Sequence, residues 1–329
     1  MKLAVLGAGA WGTAISISLA ARHAVTLWAR GARAAEQLAT TRSNQRYLPG
    51  LVLPGAVAVT AELAAAIDNC DLILVATTTA GLRPTLRQLT AAGNATPLVW
   101  LCKGLDGESA RLPHQIAAEE LPVTTKRAVL SGPSFAAEVA RGLPAALTLA
   151  SHDPEFALAI AHELHDGALR IYTSDDIIGV EVAGAVKNIM AIAAGISDGL
   201  GLGGNARAAL ITRGLAEITR LGLKLGGRLE TFMGLAGIGD LVLTCTGDLS
   251  RNRSVGLKLA RGAKLDQILG NLGHVAEGVY SARAVNRLAR EIGVDMPITR
   301  AVCRVLDEDT APRDAVQDLL QRELKSEFN

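Results

Sequence analysis

The stretch Lys2-Leu3-Ala4-Val5-Leu6-Gly7-Ala8-Gly9-Ala10-Trp11-Gly12-Thr13 decides how the rest of the chain is read. The apolar run Leu3 to Leu6 has the length of a buried strand, the glycines follow it at once, and a helix-patterned segment runs from Thr13 to Ala21. A second β-rich run, Ala24 to Trp28, closes the unit. This order suits a βαβ dinucleotide-binding unit: Gly7 for the tight turn, Gly9 for close approach of a pyrophosphate, Gly12 for packing helix against strand. The pyrophosphate would rest on the amides and positive dipole end of the helix beginning near Trp11. Gly7, Gly9, Gly12 and Thr13 interrupt the apolar stretch and argue against a secretory leader behind Lys2.

The end of the second strand selects the cofactor. An acidic residue there would hold a ribose 2′-hydroxyl, but the chain reads Trp28-Ala29-Arg30-Gly31-Ala32-Arg33, and no carboxylate appears until Glu36. Two guanidinium groups favour a 2′-phosphate, hence NADP(H), with NAD(H) still compatible.

Composition bounds the rest. A chain of 329 residues suits two compact domains, and a net charge of +1 gives no field that would draw it to nucleic acid or an anionic membrane. Aromatic residues make up 3%, too few for a base-stacking platform. Cys70, Cys102, Cys245 and Cys303 are widely spaced, with neither a disulfide framework nor metal-ligand spacing, as in a reducing compartment. No uninterrupted apolar run approaches the roughly 20 residues of a membrane span, and the expected location is cytoplasmic.

Strand and helix alternate through the first half. Runs at Val57–Val59, Asp71–Ala76, Pro97–Cys102, Ala128–Leu130, Ala145–Ala150 and Leu169–Tyr172 read as strands, with helices near Ala61–Ile67, Leu82–Leu89 and Pro154–His165. The continuous apolar run 71–76 fits a strand buried on both faces of a parallel sheet. The expected fold is therefore α/β: an N-terminal doubly wound parallel, Rossmann-type sheet over residues 1–174, then an all-α domain over 175–329. Asn44, Arg46 and Tyr47 lie in a polar surface segment from Thr40 to Gly50. Lys103 follows a strand on the carboxyl edge, where open α/β sheets bind ligands, and the sharp turn at Gly132-Pro133 should leave the Ser134 hydroxyl open.

In the second half the helix candidates are 178–200, 205–221, 251–261, 277–292, 299–306 and 312–323. The first is apolar all round except for Lys187 and Asn188 between Glu181 and Ser197. A buried ammonium needs a partner, a depressed pKa, or both. The chain uses 25 Arg against 8 Lys, so lysines at 103 and 187 look chosen for a compact, titratable head. Asp240, on an expected turn 237–244, is a natural partner for Lys187. Ser250 and Arg251 precede a helix whose free amides could clamp a phosphate, while Glu277 reads as a helix-start carboxylate.

Nine motifs in order resemble the bacterial NAD(P)-dependent glycerol-3-phosphate dehydrogenase family: GAGAWGTA at Gly7, LWAR at Leu27, CKG at Cys102, SGPSFA at Ser131, EVAGAVKN at Glu181, NARAALITRGLAE at Asn205, GIGDLVLTC at Gly237, SRNR at Ser250 and AEG at Ala276. The resemblance implies reduction of dihydroxyacetone phosphate to sn-glycerol 3-phosphate, a phospholipid precursor, with Lys187 as proton acceptor in alcohol oxidation. It implies substrate contacts at Lys103, Gly132, Ser134, Lys187, Asn188, Asp240, Thr244, Ser250, Arg251 and Asn252. Cofactor contacts are implied at Gly7, Gly9, Ala10, Trp11, Gly12, Arg30, Lys103, Ala136, Arg251, Val275 and Glu277. Ala10 stands where the family often has Ser, and Gly204 where an acidic residue is common. A homodimer is left open, and so is another dehydrogenase, or a dinucleotide sensor without turnover.

Overall fold

The computed structural model describes residues 1–272, 276–323 and 326. Its single sheet contains β1 (Lys2–Leu6), β2 (Ala24–Trp28), β3 (Ala58–Thr60), β4 (Leu72–Val75), β5 (Leu98–Trp100), β6 (Arg127–Ser131), β7 (Ala145–Ala150) and β8 (Leu169–Ser174), in the spatial order β3-β2-β1-β4-β5-β6-β7-β8. Strand order reverses between β1 and β4, which opens a crevice at their carboxyl ends. Both strands are buried on two faces: Leu3, Val5, Leu72 and Leu74 enter one apolar cluster, Ala4, Leu6, Ile73 and Val75 another. Side chains alternate across a strand, so an unbroken apolar run serves both layers.

The expectation of a wholly parallel sheet needs one correction. β1 to β6 pair in parallel, but β7 runs antiparallel to β6, and β8 is parallel to β7. Residues 132–144 hold the Gly132 turn and only a short helix, Ala136–Ala140, so the chain re-enters the sheet from the edge at which β6 left it. Helices Ala32–Thr41 and Pro113–Glu120, absent from the sequence reading, bury few residues, Ala35 and Leu38 in the first and Pro113, Ile116 and Ala117 in the second.

From Ile177 on, the described residues form helices and loops without a strand. The central helix, Ile177–Gly199, buries nearly every side chain from Gly179 to Ser197. Its start is fixed by Asp176, whose carboxylate accepts from the Gly179 and Arg228 amides at 2.8 and 2.9 Å and from Thr231 Oγ1 at 2.6 Å. Helix Arg251–Ala260 packs against it at backbone distance: a Cβ on Gly195 would lie 2.0 Å from the Arg253 carbonyl, and one on Gly256 2.0 Å from that of Ile192. No larger residue permits that approach.

One further expectation changes. The Gly237–Thr244 segment is not a turn: a π-helical turn, Leu235–Gly239, runs straight into helix Asp240–Thr246. Two helical stretches, Ile177–Gly199 and Leu229–Thr246, are long and apolar enough to cross a membrane. In the first, 94% of the most apolar window is buried within the fold, which marks it as a core helix; the second carries Asp240 inside the protein.

Candidate active site

The glycine turn sits at the crevice. Gly7 has φ +123°, and a Cβ there would meet the Ala76 carbonyl oxygen at 2.7 Å; one on Gly12 would lie 1.9 Å from the Gly7 carbonyl oxygen. Above Gly9 nothing lies within 4 Å of the corresponding position. Gly9 caps helix Ala10–Leu19 without a side-chain bond to its first amides, and Ala10 adds no hydroxyl. Asn44 braces the turn, its Nδ2 donating to the Ala8 carbonyl at 3.0 Å and to Thr13 Oγ1 at 2.7 Å. The Thr77 hydroxyl, beyond β4, is buried without a partner among the described residues. Two glycines closed by packing, one open to a ligand, and a bare helix start fit a dinucleotide pyrophosphate. Trp11 is partly buried against the sheet, Arg30 and Arg33 are exposed beyond β2, and Ala136 opens the short helix that packs on Ala10–Leu19. Val275 lies outside the described residues.

Where the two halves meet, Asp240 bridges two lysines. Its Oδ1 accepts from Lys187 Nζ at 2.5 Å and its Oδ2 from Lys103 Nζ at 2.7 Å. Thr244 Oγ1 is 3.0 Å from Lys187 Nζ and donates to the Asp240 carbonyl at 2.6 Å. The Gly132 carbonyl accepts from Lys103 Nζ at 3.1 Å and from Ser134 Oγ at 3.0 Å, so the Ser134 hydroxyl is engaged rather than open. Lys187 is 6% exposed and Asp240 1%. Burial pulls the Lys187 ammonium down to about 8; Asp240 opposes that pull and the Lys103 charge adds to it. Burial alone would raise the Asp240 carboxyl, but Lys103 and Lys187 together hold it below the ordinary carboxylate range.

The third part is the start of helix Arg251–Ala260. Ser250 is its cap, with Oγ accepting from the Arg253 amide at 3.2 Å. Asn252 Nδ2 donates to Asn188 Oδ1 at 2.9 Å, and Asn252 Oδ1 accepts from the Gly278 amide at 3.1 Å. The side chains of Ser250, Asn252 and Asn188 thus serve the fold. What remains is the exposed Arg251 guanidinium, with the Arg251 and Asn252 amides, which no carbonyl of the same helix reaches.

Residues 2–157 match the family described as NAD-dependent glycerol-3-phosphate dehydrogenase N-terminus, and residues 176–317 its C-terminus. The chain belongs to the NAD-dependent glycerol-3-phosphate dehydrogenase family. It is 56% identical over 332 residues to glycerol-3-phosphate dehydrogenase [NAD(P)+] of Nitrosospira multiformis, covering 100% of both chains. The same named enzyme of Thiobacillus denitrificans is 57% identical over 328 residues, again with 100% of both covered. The crystal structure of glycerol-3-phosphate dehydrogenase from Coxiella burnetii superposes with a TM-score of 0.94 at 42% identity, over 98% of this chain and 99% of that one.

In this member of the dehydrogenase family, one cluster gathers Lys103, Gly132, Ser134, Lys187, Asp240 and Thr244. Glu277, partly buried at the start of helix Glu277–Glu291, looks onto it: burial raises its carboxyl, against the pull of Arg251, Lys103 and Lys187. The bond between Lys103 and Asp240 was not anticipated from sequence. Nor was the engagement of Glu181 by Trp100 and His114, although a carboxylate on an all-apolar helix needs partners for the reason Lys187 does.

Proposed function

We propose that this chain interconverts dihydroxyacetone phosphate and sn-glycerol 3-phosphate, residues 1–174 holding the nicotinamide cofactor and residues 175–329 supplying the proton-transfer group. The bound cofactor supplies or takes the hydride at C2. In reduction Lys187, as ammonium, gives a proton to the C2 oxygen; in oxidation the free amine accepts it. Asp240 holds the Lys187 head in place, and Thr244 fixes its direction. Lys103 orients the substrate oxygens beside Gly132 and Ser134. Arg251 and the two amides beside it hold the phosphate, with Ser250, Asn252 and Asn188 shaping that site from within. General acid help of this kind contributes about 10²- to 10⁴-fold.

The observation that carries the reading is the Lys187–Asp240 contact of 2.5 Å, with an ammonium poised at about 8, in a chain whose first strand ends in a turn fit for a dinucleotide. A dinucleotide sensor would have no use for it. Arg30 and Arg33, with no carboxylate between β2 and Glu36, support NADP(H) over NAD(H). The balanced charge and small-molecule site support a cytoplasmic enzyme feeding phospholipid synthesis. Initial rates with dihydroxyacetone phosphate, 3-hydroxy acids and 6-phosphogluconate, each with both cofactors in the matching redox state, test the proposal. Preferred turnover of dihydroxyacetone phosphate is expected; a preferred hydroxy acid, or cofactor binding without turnover, would contradict it.

A further inference from the structure

The central helix buries a second charge that this chemistry does not use. Glu181 is 4% exposed and its carboxylate has three partners. Oε1 accepts from the Trp100 indole N–H and the His114 backbone N–H, each at 2.9 Å, and Oε2 lies 2.5 Å from His114 Nδ1. Trp100 is the fully buried last residue of β5, three positions before Lys103. His114 stands in the first turn of helix Pro113–Glu120, to which the chain runs after Lys103. Both ends of the segment 100–114 are therefore tied to one carboxylate, on the helix that carries Lys187. The stem of Lys103 also lies along that helix: a Cβ on Gly184 would come within 3.6 Å of Lys103 Cγ.

We infer that Glu181 is a positioning residue, clamping segment 100–114 onto the central helix so that Lys103 and Lys187 close on the two oxygens of Asp240. The inference rests on the functional reading above. The charged and titratable groups that face Lys187 are Asp240 and Cys245 from helix Asp240–Thr246, Lys103 from beyond β5, and Glu277 from the start of its helix. Of these, Lys103 alone hangs on the Glu181 clamp. When the clamp opens, Lys103 retreats, its repulsion of the Lys187 charge weakens, and Lys187 holds its proton to higher pH.

The test compares Glu181→Leu, Glu181→Gln and Trp100→Phe by kcat, KM and the pH profile of glycerol 3-phosphate oxidation, with melting temperature alongside. Leucine removes all three contacts; glutamine keeps an oxygen for the two N–H donors and turns its amide toward His114 Nδ1. Expected are a loss of about 10- to 100-fold in kcat for Glu181→Leu, an acid limb, where Lys187 must lose its proton to act, moved to higher pH, and rescue of both by glutamine. Trp100→Phe should shift the limb in the same direction, and it decides the matter if Glu181→Leu does not fold. Folded Trp100→Phe and Glu181→Leu enzymes with wild-type kcat and limb, altered only in melting temperature, would overturn the clamp. A wild-type chain inactive on dihydroxyacetone phosphate would instead overturn the functional reading, so the two failures are distinct.

Discussion

Replacing Asp240 with Asn keeps its size and removes the carboxylate seated between two ammonium groups, at 2.5 Å from one and 2.7 Å from the other. Removing one partner of a buried ion pair costs about 3–5 kcal/mol. At about 1.4 kcal/mol per pH unit, that lowers the proton affinity of Lys187 by about two to four pH units. Burial and Lys103 both disfavour the Lys187 charge, and in the variant nothing of comparable strength opposes them. Starting from about 8, Lys187 would then titrate at about 4 to 6. Near neutral pH the wild-type residue is chiefly ammonium and the variant chiefly amine, so reduction should fall by about 10²-fold and recover partly in acid. Initial rates of reduced-cofactor consumption, followed from about pH 5 to pH 10 at saturating dihydroxyacetone phosphate, read this directly. An Asp240→Asn enzyme whose limb stayed near its wild-type position would refute the electrostatic account of Lys187.

Three other outcomes follow from particular contacts. Gly9→Ala should leave melting temperature unchanged, because its Cβ meets nothing within 4 Å, yet weaken cofactor binding measured by fluorescence titration; Gly12→Ala, with a Cβ 1.9 Å from the Gly7 carbonyl, should unfold the domain. Equal effects of the two would contradict the assignment of the turn. Arg30→Glu should cut the NADPH-to-NADH ratio of kcat/KM by about tenfold or more, and an unchanged ratio would remove Arg30 from cofactor choice. Glu217, buried under helix Pro297–Asp307, accepts from the Ile298 amide at 2.6 Å and the Thr299 amide at 3.2 Å. Burial lifts its carboxyl to about 7 despite those bonds and Arg220. A folded-state value above the unfolded one means stability present below about pH 4.5 and lost as pH rises through about 7, by up to about 3 kcal/mol. Glu217→Gln should flatten that slope in melting experiments, and an unaltered slope would place the titration elsewhere.

Local chemistry made part of this legible in sequence. The glycines at 7, 9 and 12 have distinct backbone duties within one turn, and flanking strands expose them as a set. Lys187 announced a partner because an ammonium on an apolar helix cannot stay unpaired, and Asp240 proved to be that partner. Less legible were features whose cause lies far along the chain. Gly237 reads as a turn former, but it sits in a helical run where a Cβ would lie 2.1 Å from the Phe232 carbonyl oxygen, so closeness and not bending requires it. The reversal of β7 depends on how far residues 132–144 can reach. The family resemblance assigns Ser250 and Asn252 to the substrate, yet both side chains are engaged within the fold, a fact visible only once Asn188 and Gly278 are beside them. Glu181 stands at the edge of the EVAGAVKN motif, and its partners at 100 and 114 lie on elements of the other half.

The most direct test of the central claim is the turnover of Lys187→Met with dihydroxyacetone phosphate, measured at saturating substrate and cofactor. Methionine keeps the stem and removes the ammonium. A fall in kcat of at least about 10²-fold, with cofactor affinity retained, is the predicted result. Wild-type turnover from the folded variant would show that the proton comes from another group.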